Sequence, residues 1–351
     1  MTEGLVFPSS EMIRFGSDLL CAAGMARDQA DTTSRLLVLA DMMGRRTHGL
    51  SLLPLYIDQL EQNLMTPDGE PEVIRDTGAT VVWDGRYLSG LWLTDKALNL
   101  AFERVKTYGV VTVAIRCSHH IACLAALAKQ ATDRGLIAII ANSDPAGKVV
   151  APYGGVEPVL TPDPLAIGYP GREFPVLIDI CASITTLSMV RRHVAEGTNF
   201  EHPWLLDAKG VPTTDPRVIE HADPRGSIMP LGGFDYGHKG FALALMVEAL
   251  SQGLSGHGRK ENPKRWGGNT FLQVMDPEAF AGSDVFLDEM DYTGERCRTS
   301  KPVKEDVPVR LPGEQAVRNI AKAERDGIVW DGLTWDKLSL YAGRLNVRIP
   351  S

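Results

Sequence analysis

Three short segments of the sequence carry side chains that can transfer a proton beside an anionic ligand. Residues 47–49 read Thr-His-Gly, residues 118–120 read Ser-His-His, and residues 237–240 read Gly-His-Lys-Gly. Histidine titrates near neutral pH, so imidazoles on two separate loops can donate and accept a proton during a reaction. A lysine between glycines offers a positive charge to a phosphate or a carboxylate. These residue types favour a redox enzyme that moves a hydride and a proton together.

Each segment also has an ordinary structural interpretation. His48 can be a surface-loop residue, Ser118 can cap a helix, and Lys239 can be a solvated side chain in a flexible loop. A zinc site on His119 and His120 is a weaker interpretation, because no further cluster of His, Cys or carboxylate residues has the spacing of metal ligands. No metal is therefore expected. For His48, Ser118 and Lys239, both the structural role and the chemical role stay open at this point.

The first 65 residues read as helices, with His48 in the loop between two of them. Helices are predicted over 9–24, 28–41 and 51–63, where apolar residues recur at helical spacing. Gly44 ends the second of these helices. The histidine is therefore expected on a short connection that helices hold on both sides.

From about residue 78 onward, predicted strands and helices alternate. Strands are predicted over 80–83, 110–116 and 136–141, and helices over 93–108 and 120–134. This order predicts an α/β domain. The segment 118–120 then lies where a strand ends and a helix begins, which is a favoured place for ligands in α/β sheets.

The rest of the chain completes this region and closes it with helices. The remaining predicted elements are paired strands over 165–169 and 176–180, helices over 183–195, 239–252, 314–325 and 335–344, and a strand over 272–275. The polar, proline-bearing stretch 197–226 is predicted to run over the surface. Two parts are expected: a helical segment 1–75 carrying His48 together with closing helices in 310–351, and an α/β cofactor- and substrate-binding region 76–309.

The composition indicates a globular protein without a basic binding surface. The 351 residues are 44% hydrophobic and 23% charged, with a formal net charge of -8, which argues against a nucleic-acid or anionic-membrane partner. No apolar run is long enough to cross a bilayer, and the first residues lack the pattern of a signal peptide. The 5 cysteines include no C-x-x-C pair, as expected for reduced thiols in the cytoplasm.

The usual dinucleotide-binding fingerprint, G-x-G-x-x-G, follows none of the predicted strands. A nicotinamide cofactor would therefore not bind in the Rossmann manner. Asp179, at the end of a predicted strand, can accept hydrogen bonds from a ribose or a nicotinamide carboxamide, or it can cap the helix that follows.

Six segments, taken in order, resemble the malate/L-lactate dehydrogenase family, whose members lack a Rossmann fold. That family also includes ureidoglycolate dehydrogenase, diketogulonate reductase, sulfolactate dehydrogenase and cyclic-imine carboxylate reductases. The matching segments are Ala-Asp-Met-Met-Gly-Arg-Arg-Thr-His-Gly at 40–49, Ser-His-His-Ile-Ala at 118–122, Ala-Asn-Ser at 141–143 with Ala-Pro-Tyr-Gly-Gly-Val-Glu-Pro at 151–158, Pro-Thr-Thr-Asp-Pro at 212–216, Lys-Gly at 239–240 and Leu-Pro-Gly-Glu at 311–314. The resemblance covers nearly the whole chain.

The resemblance implies a non-Rossmann α/β fold, with helical N-terminal and C-terminal segments packed beside a mixed-sheet cofactor domain. It also implies a homodimer with its site near the subunit interface, an NAD or NADP cofactor, and oxidation of a 2-hydroxy acid or reduction of a 2-oxo acid. His48 and His120 are the implied acid/base and substrate-orienting pair, either of which can be the proton donor. The candidate substrate contacts are Arg46, Thr47, Leu52, Ser118 and His119. The implied cofactor contacts are His120, Ser143, Asp179, Ser183, Lys239 and the turn Pro312, Gly313 and Glu314.

One departure from the family pattern concerns the charge that would bind the substrate. Many members have an arginine four residues after the first histidine, where it binds the substrate carboxylate, and here that position is Leu52. Malate or lactate itself is therefore not the expected substrate. Arg45, Arg46 or Arg116 can supply the missing charge, or the substrate is bulkier and less anionic at that end.

Other departures lie around the second histidine. His119 stands where the family usually has asparagine, Ala122 where it has glycine, and Asp163 where it has the asparagine of an Asn-Pro pair. Both histidines and the lysine are kept, so these changes indicate an altered pocket in an active enzyme.

Two functions from different classes remain. The first is an NAD(P)-dependent oxidoreductase that acts on a 2-oxo or 2-hydroxy acid, and the second is a homologue that binds a cofactor or metabolite without efficient turnover. The choice between NAD and NADP depends on whether a basic side chain meets the 2′-phosphate, for which Arg191, Arg192 and His193 are candidates.

Overall fold

The computed structural model describes residues 5–350 of the chain. The strands β1 to β12 are, in order, Leu5–Phe7, Glu72–Asp76, Thr80–Asp84, Val110–Ser118, Ile137–Ser143, Pro164–Tyr169, Val176–Cys181, Leu205–Leu206, Pro212–Thr213, Ser227–Ile228, Gly268–Met275 and Ile328–Trp330. The helices α1 to α11 are Ser9–Ala22, Arg27–Met42, Leu53–Glu61, Gly90–Tyr108, Leu124–Thr132, Leu187–Glu196, Arg217–Glu220, Gly233–Glu248, Ser283–Arg298, Glu314–Asp326 and Gly332–Leu345. Within the described residues, no helix has the length and apolar character needed to span a bilayer.

The centre of the molecule is a mixed sheet of 7 strands in the order β2-β3-β4-β11-β5-β6-β7. β3 and β4 are parallel, whereas β11 enters from late in the chain and pairs antiparallel with both β4 and β5. β4 begins Val-Val-Thr-Val-Ala-Ile, a run of β-branched and small apolar residues that suits a strand covered on both faces. The mixed sheet confirms the α/β class expected from the sequence.

One hydrophobic core joins the N-terminal helices, the sheet and the last helix. Met12 of α1, Leu37 of α2, Ile57 of α3, Val113 of β4 and Leu338 of α11 all belong to it, each with 0% of its surface exposed. Full burial of such a side chain contributes about 1.5–3 kcal/mol. The helices that carry the first histidine loop are thus fixed directly against the sheet that carries the second.

A smaller core lies under the stretch 197–226 and corrects the prediction that this stretch runs over the surface. Phe200, Leu205 and Ile219 are buried in it, and β8 pairs with β9 and β10 to form a sheet of 3 strands. The apolar residues of this stretch are single and separated by polar and proline residues. Their pattern therefore lacks the periodicity by which buried elements are recognised.

Several predicted helix boundaries are wrong, and the errors have physical causes. α8 begins at Gly233, so Lys239 lies inside that helix and not at its start. α5 begins at Leu124 instead of residue 120, because Ala122 has a left-handed backbone with φ 50 and a distant strand supplies the cap. α6 likewise begins at Leu187 and not at residue 183. The sequence patterns also failed to predict α9, β1, β2 and β12.

Candidate active site

The two histidine loops meet at the side of α3. His48 ends a short 3-10 turn, Arg46–His48, and His120 lies in the connection from β4 to α5. Their rings are 6.3 Å apart between centroids and inclined by 26°. The structure therefore brings together the two residues for which the sequence predicted acid/base roles.

The loop that carries His48 is held by a buried carboxylate. The Asp41 Oδ2 atom accepts the backbone N–H of Leu50 at 2.8 Å, and burial raises the pKa of Asp41 to about 8. A Cβ atom on Gly49 would lie 2.0 Å from Asp41 Oδ1. Glycine is thus required after His48 to let the Asp41 side chain approach.

Tyr56 of α3 fixes the orientation of His120. Its hydroxyl lies 2.8 Å from His120 Nδ1, and the tyrosine side chain is 0% exposed. This hydroxyl has one hydrogen-bond partner among the described residues, so its proton is directed to Nδ1. His120 is then the tautomer that carries its proton on Nε2, which leaves Nε2–H as a donor to a ligand.

Sequence reasoning missed Tyr56, although a signal was present. Tyr56 lies among the buried positions of α3 with Leu53, Ile57 and Leu60. A tyrosine on the apolar face of a helix usually finds a hydrogen-bond partner for its hydroxyl, so it points to a polar group in the core. Here that polar group is the catalytic candidate His120.

Trp266 forms the opposite wall of the site and was also missed. Its ring stacks on His120 with centroids 5.1 Å apart, and it meets His119 edge-on at 4.8 Å. Trp266 is only partly buried and lies just before β11. It reaches the histidines because β11 pairs beside β4, a contact between distant parts of the chain that local patterns cannot reveal.

His119 is fully buried and lacks partners. Its side chain is 0% exposed, and neither ring nitrogen has a hydrogen-bond partner among residues 5–350. Burial lowers the pKa of His119 to about 3, with smaller contributions from the charges of His120 and Arg265. The ring is therefore neutral, with one donor and one acceptor unsatisfied.

The protonation of the histidine pair depends on burial and on Asp179. Burial lowers the pKa of His120 to about 3, and the charge of His48 lowers it further. Burial also lowers the pKa of His48, where the carboxylate of Asp179 opposes the shift and Arg45 adds to it. Asp179 therefore lies close enough to His48 to stabilise its protonated form.

Asp179 also caps a helix, but not the one suggested by the sequence. Its carboxylate accepts the backbone N–H of Ala125 at 3.0 Å, and the thiol of Cys123 lies 3.7 Å away. It therefore caps α5, which precedes it in the chain, rather than the helix that follows β7. One side chain thus links β7, the start of α5 and the His48 loop.

The predicted substrate contacts are spread over different surroundings. Thr47 Oγ1 lies 3.0 Å from His48 Nδ1, and buried Ser118 donates its hydroxyl to the carbonyl of His119 at 2.9 Å. Leu52 is partly buried against the main core. Arg46 lines a small crevice with Trp330 and Asp331 of the C-terminal part. Thr47, Ser118 and His119 thus adjoin the histidine pair, whereas the structure places Arg46 against the C-terminal part.

Ser143, a predicted cofactor contact, lies in a buried polar network at the end of β5. Its hydroxyl donates to Glu248 Oε1 at 2.8 Å and accepts from Gln252 Nε2 at 2.9 Å. Arg259 pairs with Glu248 at 2.6 Å in the same network. In this structure Ser143 is therefore bonded to protein groups on both sides.

Two other predicted cofactor contacts, Ser183 and Lys239, differ in burial. Ser183 is buried, and its hydroxyl donates to the carbonyl of Thr185 at 2.7 Å. Lys239 is exposed, with Nζ 5.4 Å from the ring centre of Tyr236. No carboxylate among residues 5–350 pairs with Lys239, so its charge is available to an anion.

The predicted turn at 312–314 packs on β7. Pro312 accepts the backbone N–H of Leu177 at 3.0 Å, and Gly313 has φ 99, a left-handed conformation that suits glycine. Glu314 is buried and pairs with Arg298 at 2.6 Å. The turn thus lies beside the strand that carries Asp179, while the Glu314 carboxylate is already paired with a protein group.

Among the described residues, no group of three or more His, Cys, Asp or Glu side chains could hold a metal ion.

Comparisons with known proteins place this chain in the malate/L-lactate dehydrogenase family. The family model described as malate/L-lactate dehydrogenase matches residues 7–339. The L-lactate dehydrogenase of Cupriavidus necator is 31% identical over 95% of this chain and 96% of its own length. The L-sulfolactate dehydrogenase of Methanothermobacter thermautotrophicus is 28% identical over 97% of each chain. The crystal structure of malate dehydrogenase from Entamoeba histolytica superposes with a TM-score of 0.92 at 26% identity, covering 99% of this chain and 100% of that one.

Proposed function

The chain belongs to the malate/L-lactate dehydrogenase family, and on that premise we propose that it transfers a hydride between NADH or NADPH and the carbonyl or imine carbon of a 2-oxo acid. The observation that carries this proposal is the facing pair of His48 and His120, with ring centroids 6.3 Å apart and the Tyr56 hydroxyl 2.8 Å from His120 Nδ1. Two imidazoles at this separation can both reach one substrate oxygen, because a hydrogen bond spans about 2.6–3.2 Å.

The predicted cofactor contacts fit a nicotinamide cofactor, which supplies the hydride when it is bound. Lys239 carries a charge that no described carboxylate neutralises, as a site for a cofactor phosphate requires. We assign the cofactor to Lys239, Ser183, Asp179 and the turn at 312–314, with His120 on the side of the reacting carbon. Ser143 would need to exchange one bond of its buried network to take part.

We assign the proton transfer to His48. When a 2-oxo acid is reduced, negative charge develops on the carbonyl oxygen, and an imidazolium can protonate that oxygen for a gain of roughly 10²–10⁴-fold. The nearby carboxylate of Asp179 favours the protonated form of His48. In the oxidative direction the neutral His48 ring accepts the hydroxyl proton.

His120 acts in this scheme as a neutral hydrogen-bond donor. Tyr56 occupies Nδ1, so Nε2–H can point at the substrate oxygen. A donor held at that place stabilises the charge that develops in the transition state without having to reorganise. The low pKa of His120, about 3, suits this role better than proton donation.

The substrate, the assembly and the location of the enzyme are further parts of the proposal. Leu52 disfavours malate and lactate and favours a 2-oxo or cyclic imino acid that is bulkier and less anionic at the end near Leu52. A homodimer is supported by the apolar residues exposed along α8, including Phe234 at 61% and Tyr236 at 62%. A cytoplasmic location is supported by the 5 cysteines, all of which are free thiols.

The test is nicotinamide absorbance with the purified protein, in NADH and in NADPH, against a panel of 2-oxo acids and cyclic imino acids. Turnover of any of them supports the proposal and identifies the coenzyme. Cofactor binding without turnover on the whole panel would contradict it. That outcome would favour a homologue that binds a cofactor or metabolite without efficient catalysis.

A further inference from the structure

A 2-oxo acid needs a cation for its carboxylate, and the arginines near the two histidines are not equally able to provide one. Arg116 pairs with Asp84 at 2.9 Å, so its charge is already used. Arg46 faces the C-terminal part of the chain, where it lies beside Asp41 and Asp331. Neither of these arginines has a free guanidinium directed at the histidine pair.

Arg265 is held in place but has no anionic partner. Its Nε–H donates to the carbonyl of Leu64 at 2.7 Å, and its guanidinium carbon lies 3.9 Å from the ring centre of Tyr87. Within residues 5–350 no acceptor bonds its two terminal nitrogens, and no carboxylate lies within ion-pair distance. The side chain is partly buried, so the rigid fork of two N–H groups is preorganised for a carboxylate.

Arg265 is connected to the histidine segment 119–120 through its neighbours. The next residue, Trp266, stacks on His120 at 5.1 Å. Arg265 packs on Tyr87, and the following residue, Leu88, accepts the backbone N–H of His119 at 3.0 Å. The charge of Arg265 also contributes to the lowered pKa of His119, so the guanidinium lies near the unpartnered ring of His119.

His119 provides the independent observation that a ligand approaches here. A buried imidazole with both nitrogens unpaired is rare, because each unsatisfied group carries the cost of its lost hydration. A ligand that accepts one hydrogen bond from the ring and donates another would satisfy it. Neutral groups such as hydroxyl or amide have this capacity, and a second carboxylate does not.

We propose that Arg265 binds the carboxylate of the 2-oxo acid, while His119 and Trp266 line the part of the pocket that receives the rest of the substrate. This inference rests on the proposed function and specifies its substrate class. The class is a 2-oxo acid with a single carboxylate and an apolar or neutral polar side chain. Leu52 offers no charge to that carboxylate, and Arg265 takes the role of the arginine that many family members have at the Leu52 position.

The experiment compares a 2-oxo acid with its methyl ester in wild type, Arg265→Gln and Arg265→Lys. We expect Arg265→Gln to raise KM for the acid on the order of ten- to a hundredfold, which corresponds to the loss of a charge-assisted hydrogen-bonded pair. The ester should be affected little, and Arg265→Lys should lie between. The matched control is Arg86→Gln, which removes an exposed guanidinium beside Tyr87 and should leave both substrates unchanged.

A binding measurement gives a second readout that does not depend on turnover. Oxamate, a 2-oxo acid analogue that is not reduced, is titrated calorimetrically into protein saturated with the coenzyme. Its affinity should fall in Arg265→Gln by the same factor as the KM effect. Introducing an arginine through Leu52→Arg in the Arg265→Gln background should recover part of the lost affinity.

The outcomes separate the two proposals. If wild type turns over 2-oxo acids but Arg265→Gln keeps the same preference for acid over ester, Arg265 is not the anchor and only this inference fails. The same holds if Arg45→Gln, which removes the exposed charge near His48, produces the loss instead. If wild type turns over none of the acids, the proposed function fails and takes this inference with it.

Discussion

The hydroxyl of Tyr56 lies 2.8 Å from Nδ1 of His120, and it is the only polar atom that the structure brings to that nitrogen among the described residues. The bond joins a helix from the first part of the chain to the loop that follows β4. Because Tyr56 is completely buried, water does not compete for this bond. The tautomer of a catalytic candidate is thus set by packing between two distant segments.

Replacing Tyr56 by phenylalanine tests this relationship. We expect kcat to fall about tenfold, because His120 loses the bond that directs its Nε2–H at the substrate. The KM for the coenzyme should change less than kcat, since His120 is the one proposed cofactor contact that Tyr56 bonds among the described residues. Tyr341→Phe is the matched control, because that hydroxyl bonds Asp58 at 2.9 Å away from the site. Equal activity in both variants would remove Tyr56 from the mechanism.

The direction of the reaction should respond to pH through His48. Burial lowers the pKa of His48 below its ordinary value of 6.5, so the ring is neutral at pH 7 in the free enzyme. Oxidation needs the neutral base, so its kcat/KM should rise as pH increases through this lowered pKa and then stay level. Reduction needs the imidazolium, so its kcat/KM should fall over the same range. Profiles measured in both directions check the assignment, and two parallel profiles would speak against it.

Asp163 should make the protein less stable as pH rises. Its Oδ1 accepts the Thr161 hydroxyl at 2.6 Å, whereas its buried Oδ2 has no partner among the described residues. Burial raises the pKa of Asp163 well above its usual range, and the charge of Glu248 adds to this. The native state therefore holds a proton that the unfolded chain releases near pH 4, so stability is lost as pH rises from there toward the raised value.

Asp163→Asn removes this dependence. We expect the variant to be more stable than wild type by about 1–3 kcal/mol at pH 8. At this pH the wild-type protein must either bury an unpaired carboxylate or keep a proton that the unfolded chain has released. At pH 3 the difference between the two proteins should be small, because the carboxyl is mostly protonated in both the folded and the unfolded state. Thermal unfolding at the two pH values makes the comparison. A variant that is less stable at pH 8 would show that Asp163 has a polar partner in solution.

Gly49 should tolerate no side chain. A Cβ atom there would lie 2.0 Å from Asp41 Oδ1, so Gly49→Ala must displace the Asp41 carboxylate or the turn that ends in His48. We expect a loss of about 1–3 kcal/mol in the free energy of unfolding, together with reduced turnover. Gly332→Ala is the control, because nothing lies within 4 Å of the Cβ it would add. Unchanged stability and activity in Gly49→Ala would mean that the loop relaxes freely.

The sequence was sufficient for the family and the α/β class, because these depend on ordered motifs and on local apolar periodicity. It also predicted the two histidines that the structure brings together, whose roles stay a prediction. It was insufficient where distant segments meet. Tyr56 and Trp266 touch the histidines only through helix packing and through the insertion of β11 beside β4. Asp179 was recognised as a possible cap, but the helix it caps could be identified only from the fold.

Boundary errors had a similar origin. The helix after His120 starts late because Ala122 adopts φ 50 and the cap comes from β7. Lys239 seemed to open a helix because glycines surround it, yet Gly237 and Gly240 lie buried within α8, where they allow close packing. At these two positions glycine allows close contact between elements, and it does not mark the start of a helix.

The most direct test of the central claim is turnover of 2-oxo acids by wild type, His48→Ala and His120→Ala, followed by nicotinamide absorbance. We predict that wild type reduces at least one acid and that His48→Ala loses roughly 10²–10⁴-fold in kcat, as expected for a removed general acid. His120→Ala should lose a smaller factor, and both variants should still bind the coenzyme. Full turnover in both variants on a substrate of the wild type would contradict the assignment of the reaction to this histidine pair.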